Sequence, residues 1–213
     1  MINPKTIGQL TSQYEKYLEE VVDRLWVIQW ISQEFQQGKT TNQYPQIDME
    51  LCALQLRKAL EVVGYMCLLA HRPELGKLPK RLTKLYSPED ILKRLKSENS
   101  QCFPVAIRSV EKEGRADLQP VSEGAFGPVL SEAEFVEAYG KFCGNRLHAK
   151  HIYERGTHHS LAKEMSDVRA LALGLMSLLG SHKINVKEKY LIVGHVNGPG
   201  GAASATFFNR LSK

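Results

Sequence analysis

Between Ile7 and Phe35, apolar or aromatic side chains recur at positions 7, 10, 14, 17, 21, 28, 31 and 35, in steps of three and four that skip only Arg24. Residues at those spacings share a helical face, so the pattern predicts one long helix with a heptad-like seam. Leu18, Val22 and Leu25 add a second stripe, and Trp26 and Trp30 form an i,i+4 pair on a neighbouring face. Such a helix needs cover on more than one side, and a second copy of the chain is one source of it, which makes a homodimer the expectation. "QQGKTTNQYPQ" breaks the pattern, with Gly38 at the end of one helix and Pro45 near the start of the next. That next helix, about 46–72, is apolar on nearly every face in its second half and is read as the buried centre of the protein. Its exceptions are Arg57, Lys58 and Glu61. Arg57 and Glu61 lie one turn apart and are expected to pair in a partly desolvated setting.

Further along, "YSPEDILKRLKSEN" carries Ser87 as an N-cap, Pro88 at the first helical position and acidic residues in the first turn. Residues 100–130 mix prolines and glycines with short apolar pieces and are read as an irregular connection. A capping box of Ser131 and Glu134 restarts helical order, with a stop expected at Gly144. Leu161, Met165, Val168, Leu171, Leu175 and Leu178 mark the core face of a helix over roughly 160–180. The tail then changes period: "KEKYLIVGHVN" alternates, "GPGG" turns, and "AASATFFNRL" returns. A lone hairpin is marginal in water, so it should pack on the helices or on a partner's edge. The expected fold is mainly α, a helical bundle with a long N-terminal helix and a C-terminal β-hairpin. Its parts would be 1–40 for packing or oligomerisation, 46–182 as the helical core and 187–211 as the hairpin.

Composition sharpens this picture modestly. With 213 residues, 43% hydrophobic and 24% charged, the chain resembles an ordinary folded protein. The opening stretch has no basic segment leading into an apolar run, and no window approaches the ~20 apolar residues of a membrane span. A cytoplasmic protein without a membrane partner is the expectation. Cys52, Cys67, Cys102 and Cys143 show no CxxC spacing and read as reduced, packed thiols. Net charge is +5, and between Arg72 and Glu98 eight basic residues face four acidic ones. Lys80, Arg81, Lys84, Lys93 and Arg94 are the candidate contacts to a nucleic-acid backbone, against the alternative of a solvated helical face.

The densest chemistry is "KFCGNRLHAKH", residues 141–151. On a helix Asn145 and His148 share a face, as do His148 and His151, while Arg146 stands apart from His151 unless the helix ends there. A break at Gly144 would set these groups on top of the bundle. There Arg146 would clamp an anion and a histidine would carry protons beside it. Together with "LRKALEVV" (56–63) in the central helix, this arginine-to-histidine spacing resembles the HEPN superfamily of helical nucleotide-binding and RNase domains over residues 47–180. The sequence departs from the usual pattern in placing apolar Leu147 directly after the arginine.

The resemblance implies a metal-independent RNA cleavage driven by an internal 2′-hydroxyl, at a site often assembled across a dimer. Arg146, His148 and His151 would be catalytic, with Arg57, Glu61 and Asn145 in support. RNA or a nucleotide would be the partner, and no cofactor or metal is called for. Two plainer readings stand beside it. His148 could pack between helices against Glu61 while Arg146 and Lys150 face water. The protein could also be a noncatalytic interaction or assembly subunit that uses its N-terminal seam and hairpin edge. A metal reading arises because six of seven histidines follow residue 147, but no paired cysteine or acidic partner completes a ligand set. "VGHVNGPGGAASA" lacks the order of a phosphate loop and reads as a hairpin turn.

Overall fold

The seam of the N-terminal pattern is buried as its spacing demands. In the computed structural model, which describes residues 4–40, 44–75, 85–112, 115–147, 161–187, 190–196 and 202–209, helix α1 spans Pro4–Gln36. Leu10, Tyr14, Val21, Ile28 and Ile31 on it are all buried. The second stripe, Leu18, Val22 and Leu25, is buried too, because α1 lies against other helices on one side and a β-sheet on the other. The chain covers that stripe by itself, so the stripe supplies no ground for a second copy. Helix α2, Pro45–Leu75, packs along α1, and its second half is enclosed from Ala59 to His71 apart from Glu61 and Tyr65. Helix α3, Pro88–Lys96, starts as expected, with Ser87 Oγ accepting from Asp90 N at 3.5 Å, and buries Ile91, Leu92 and Leu95 against α2.

Residues 100–130 are not an irregular connection. They hold β1 (Val105–Lys112), β2 (Arg115–Pro120), and a tight hairpin of β3 (Glu123–Gly124) and β4 (Gly127–Pro128). Pro120 ends a strand at the sheet's edge and Pro128 ends the two-residue β4, positions where a missing N–H costs little. Helix α4 (Glu132–Glu137) then starts on the capping box, with Glu134 N donating to Ser131 Oγ and Ser131 N to Glu134 Oε2. Helix α6 (Leu161–Gly180) matches the expected core helix and buries Met165, Val168, Leu175 and Leu178.

The tail is more than a hairpin. Strands β5 (Ser181–Val186), β6 (Tyr190–Val196) and β7 (Ala203–Asn209) run antiparallel, and β1 and β2 extend them into a five-stranded sheet of order β2-β1-β5-β6-β7. The predicted hairpin is β6–β7; β5 carries no local signal of its start, because it follows Gly180 without a turn. Its alternation is nonetheless plain, with His182, Ile184 and Val186 buried and the residues between them half-exposed. The sheet rests on α1 and α6, as the marginal stability of isolated strands requires. Glu15 of α1 accepts a hydrogen bond from Ala205 N at 3.0 Å, which covers part of the edge strand β7. The fold is mainly α, with this antiparallel sheet as its second layer.

Two buried histidines join the layers. His182 Nδ1 donates to the Leu179 carbonyl at 2.9 Å, which leaves Nε2 to accept from Tyr14 Oη on α1 at 2.7 Å. His71 Nδ1 donates to the Cys67 carbonyl at 2.7 Å, and Asn99 Nδ2 bridges His71 Nε2 (2.8 Å) and the Asn185 carbonyl (2.6 Å). The ring of His182 lies across Gly194 of the neighbouring strand, where an added Cβ would fall 2.4 Å from its Cε1. Glycine is required there by space alone.

Burial pushes the His182 imidazole down from 6.5 to about 4, with His195 a lesser contributor. The unfolded chain therefore binds a proton that the folded chain refuses. Stability is full above the unfolded value and falls as pH drops through it. Between about pH 7 and 5 this one group should remove about 2 kcal/mol. Urea titrations across that range should show the loss in the wild type and its absence in His182→Gln; equal profiles would contradict a neutral buried imidazole. Gly194→Ala should cost at least 1–3 kcal/mol, roughly the cost of overpacking.

Candidate functional site

Helix α4 does not end where α-geometry would end it. From Ala138 to Cys143 the chain widens into a π-helical turn and then passes without a break into α5, Gly144–Leu147. Gly144 keeps right-handed helical angles (φ −58°), so the expected stop there does not occur. π-turns re-aim side chains relative to an α-helix and often sit at functional sites. Here Tyr139 is carried against α2, Cys143 is buried, and Leu147 packs half-buried on the core. The apolar residue that departs from the HEPN pattern thus has a packing role.

On α2, Glu61 binds both neighbouring cations: its Oε1 accepts from Arg57 Nε at 3.2 Å and its Oε2 from Lys58 Nζ at 2.8 Å. The Glu61 side chain is 13% exposed, so the expected partial desolvation holds. Tyr139 joins through two long contacts of 3.4 Å, donating from Oη to Glu61 and accepting from Arg57 Nη2. The guanidinium also stands over the Tyr139 ring, 5.2 Å from its centre. Partial burial opposes the charge on Arg57, but the bonds to Glu61 and Tyr139 more than offset it and its pKa lies above the ordinary value. Tyr65, one turn beyond Glu61, has its phenol pushed up by burial and by the Glu61 charge, and Tyr86 lies within the same field. Tyr86 is 71% exposed at the entrance to α3. The result is a face with two cations, one carboxylate and three tyrosines.

This geometry joins some of the predicted site residues. Arg57 and Glu61 meet the π-turn directly, and α5, which bears the backbone of Asn145 and Arg146, packs against α2. His148 and His151 lie outside the described residues, as do Lys80, Arg81 and Lys84. Lys93 and Arg94 are exposed on α3, and Arg94 reaches Glu98 at 3.5 Å and Ser97 at 3.2 Å. Lys58, Tyr65, Tyr86 and Tyr139 were not predicted as site residues. The i,i+3 step from Lys58 to Glu61 was a usable signal; Tyr139 had none, because its direction depends on the π-turn.

Cys143 is no nucleophile. Burial pushes its thiol up to about 12, with Glu61 adding to the rise and Arg57 opposing it. All four cysteines are free and buried, which fits the packed-thiol expectation. Among the described residues no three His, Cys, Asp or Glu side chains gather as metal ligands. Within the same residues no helix is long and apolar enough to cross a membrane. No family model, curated protein or solved structure matches the chain.

Glu61 is the group that holds two cations and a phenol in one place. Replacing it by glutamine keeps the shape and removes the charge, and should cost on the order of 1 kcal/mol. Urea denaturation of Glu61→Gln checks this, and an unchanged midpoint would mean that the cluster is not a mutually dependent unit.

Proposed function

We propose that the chain acts on RNA in the manner of HEPN-like helical domains, with the face formed by Arg57 and Lys58 of α2 and Tyr139 of the π-turn meeting the strand. One observation carries the reading: the π-turn brings Tyr139 against Arg57 and Glu61, and the helix that follows it packs on α2 beside them. Cations interleaved with aromatic rings suit single-stranded RNA, since phosphates take the charge and bases stack on the rings. Lys93 and Arg94, exposed on α3, would extend the path, and Lys80, Arg81 and Lys84 are assigned as further contacts to the RNA backbone.

In the cleavage this reading entails, a 2′-hydroxyl attacks the adjacent phosphorus as its proton passes to one histidine. The P–O5′ bond breaks, and the leaving oxygen takes a proton from the second. His148 and His151 are assigned those roles, and Arg146 the developing negative charge on the phosphate. Arg57 and Glu61, already bound to each other, act by orienting that segment.

The alternative is a noncatalytic interaction module. It is favoured by Val27, Trp30, Ile47 and Leu54, which stand exposed on α1 and α2 with Trp30 at 56%. The two readings respond oppositely to salt. The RNA reading expects a labelled single-stranded oligouridylate to bind with affinity that falls steeply with salt, and Lys93→Glu with Arg94→Glu to weaken it about tenfold. Cleavage products should end in a 2′,3′-cyclic phosphate and vanish in Arg146→Ala and His151→Ala. Absence of binding at low salt, alongside a salt-insensitive oligomer by light scattering, would hand the case to the interaction module. Cleavage untouched by both substitutions would remove the catalytic assignment.

A further inference from the structure

A second feature lies where α1 and α6 meet the sheet, and none of the α2 cluster lines it. It is a partly enclosed cavity of about 460 Å³, within the usual size range of small-molecule sites. Its walls are mostly apolar: Leu25 and Trp26 from α1, Met176 from α6, Ile107 from β1 and Phe126 from the β3–β4 turn. Trp26 and Phe126 meet edge to face, with ring centres 6.3 Å apart. The hairpin that supplies Phe126 is fastened down. Phe126 N donates to Ser177 Oγ at 3.2 Å, and Gly124 lies so close to α6 that an added Cβ would sit 2.7 Å from Ser177 Cβ. The walls are therefore set before any occupant arrives, which spares a ligand the cost of ordering them.

The polar groups around the cavity decide what it can hold. Trp26 Nε1 is fully covered, so the indole offers the cavity only carbon. Of the two lining serines, Ser177 Oγ is engaged by Phe126 N and Ser181 Oγ by His195 Nδ1 at 3.0 Å. The two charged lining residues, Arg108 and Glu123, are exposed and opposite in sign, so they add no net charge. Among the described residues, then, no lining side chain presents a free polar group to the interior. A charged occupant would lose its hydration there with nothing to replace it. An apolar one gains in proportion to the surface it removes from water.

From these features we infer that the cavity is a binding site for an uncharged, predominantly apolar small molecule, held by burial against the Trp26–Phe126 pair, Ile107 and Met176 without a directional polar contact. A space of about 150 Å³ lined by such side chains holds one benzene ring. The present cavity is large enough for two fused rings or a hydrocarbon of similar bulk. The site is independent of the RNA reading, since it shares no residue with it.

Naphthalene and 2-naphthoate, which has the same ring outline and adds a carboxylate, are the probes. Met176 reports on the interior, and Met49 and Met66, buried on α2 away from the cavity, serve as internal references. In ¹H–¹³C spectra of protein labelled at its methionine methyls and assigned by single Met→Leu variants, naphthalene should shift the Met176 signal saturably by its ring current and leave Met49 and Met66 in place. 2-Naphthoate should bind at least about tenfold more weakly. Phe126→Ala keeps the backbone bond to Ser177 and removes one ring of the aromatic pair. It should weaken naphthalene about tenfold while the Met49 and Met66 signals keep their folded positions. A Met176 signal that naphthalene does not move, equal shifts at all three methionines, 2-naphthoate binding as tightly as naphthalene or more so, or an affinity unchanged by Phe126→Ala would each overturn the inference.

Discussion

The imidazole of His182 is where the two layers of this protein are joined, with Tyr14 Oη of α1 at 2.7 Å on one side and the Leu179 carbonyl at 2.9 Å on the other. A buried polar ring is tolerated only when both nitrogens are bonded. Here that condition fixes the depth of α1, the end of α6 and the start of β5 at one point. It also sets the neighbouring strand, because the face of the ring takes the room that any side chain at Gly194 would need. Sheet register, helix position and tautomer are therefore one constraint. The His71–Asn99–Asn185 chain repeats the device at the far end of β5 and fastens α2 to the same strand.

The two regions of chemical interest follow from that arrangement. A cavity lined by Trp26 of α1 and by residues of the sheet and α6 lies between these layers, and Phe126 flanks it. Helix α2 is shielded by α1 on one side and the π-turn on another, so the Arg57–Lys58–Glu61 cluster lies at the margin of burial. In that position charge strengthens contacts without a full desolvation cost. The π-turn connects this cluster to the segment richest in candidate chemistry.

Much of the helical layer was legible from spacing alone. The three- and four-residue steps of α1, the caps at Ser87 and Ser131 and the stripe of α6 state their structure locally. The sheet was less legible because its strands are short and far apart in sequence. β1 pairs with β5 through only Val105–Lys183 and Ala106–His182, a partnership no local pattern encodes. The prolines of 100–130 looked like loop residues but fall where strands end. The same distinction applies to the site: Arg57 and Glu61 were readable as an i,i+4 pair, whereas the placement of Tyr139 and the continuity through Gly144 depend on a π-turn. Trp26 was visible as half of a pair with Trp30, yet only the fold shows that one faces a cavity and the other solvent.

The joint at His182 can be observed directly. Long-range ¹H–¹⁵N spectra of the imidazoles report which nitrogen carries the proton and whether the ring titrates. The account predicts a His182 ring protonated at Nδ1, with Nε2 in the range of a hydrogen-bond acceptor, and shifts that stay constant from about pH 8 to 5.5. A ring protonated at Nε2, or one that titrates near 6.5, would contradict it.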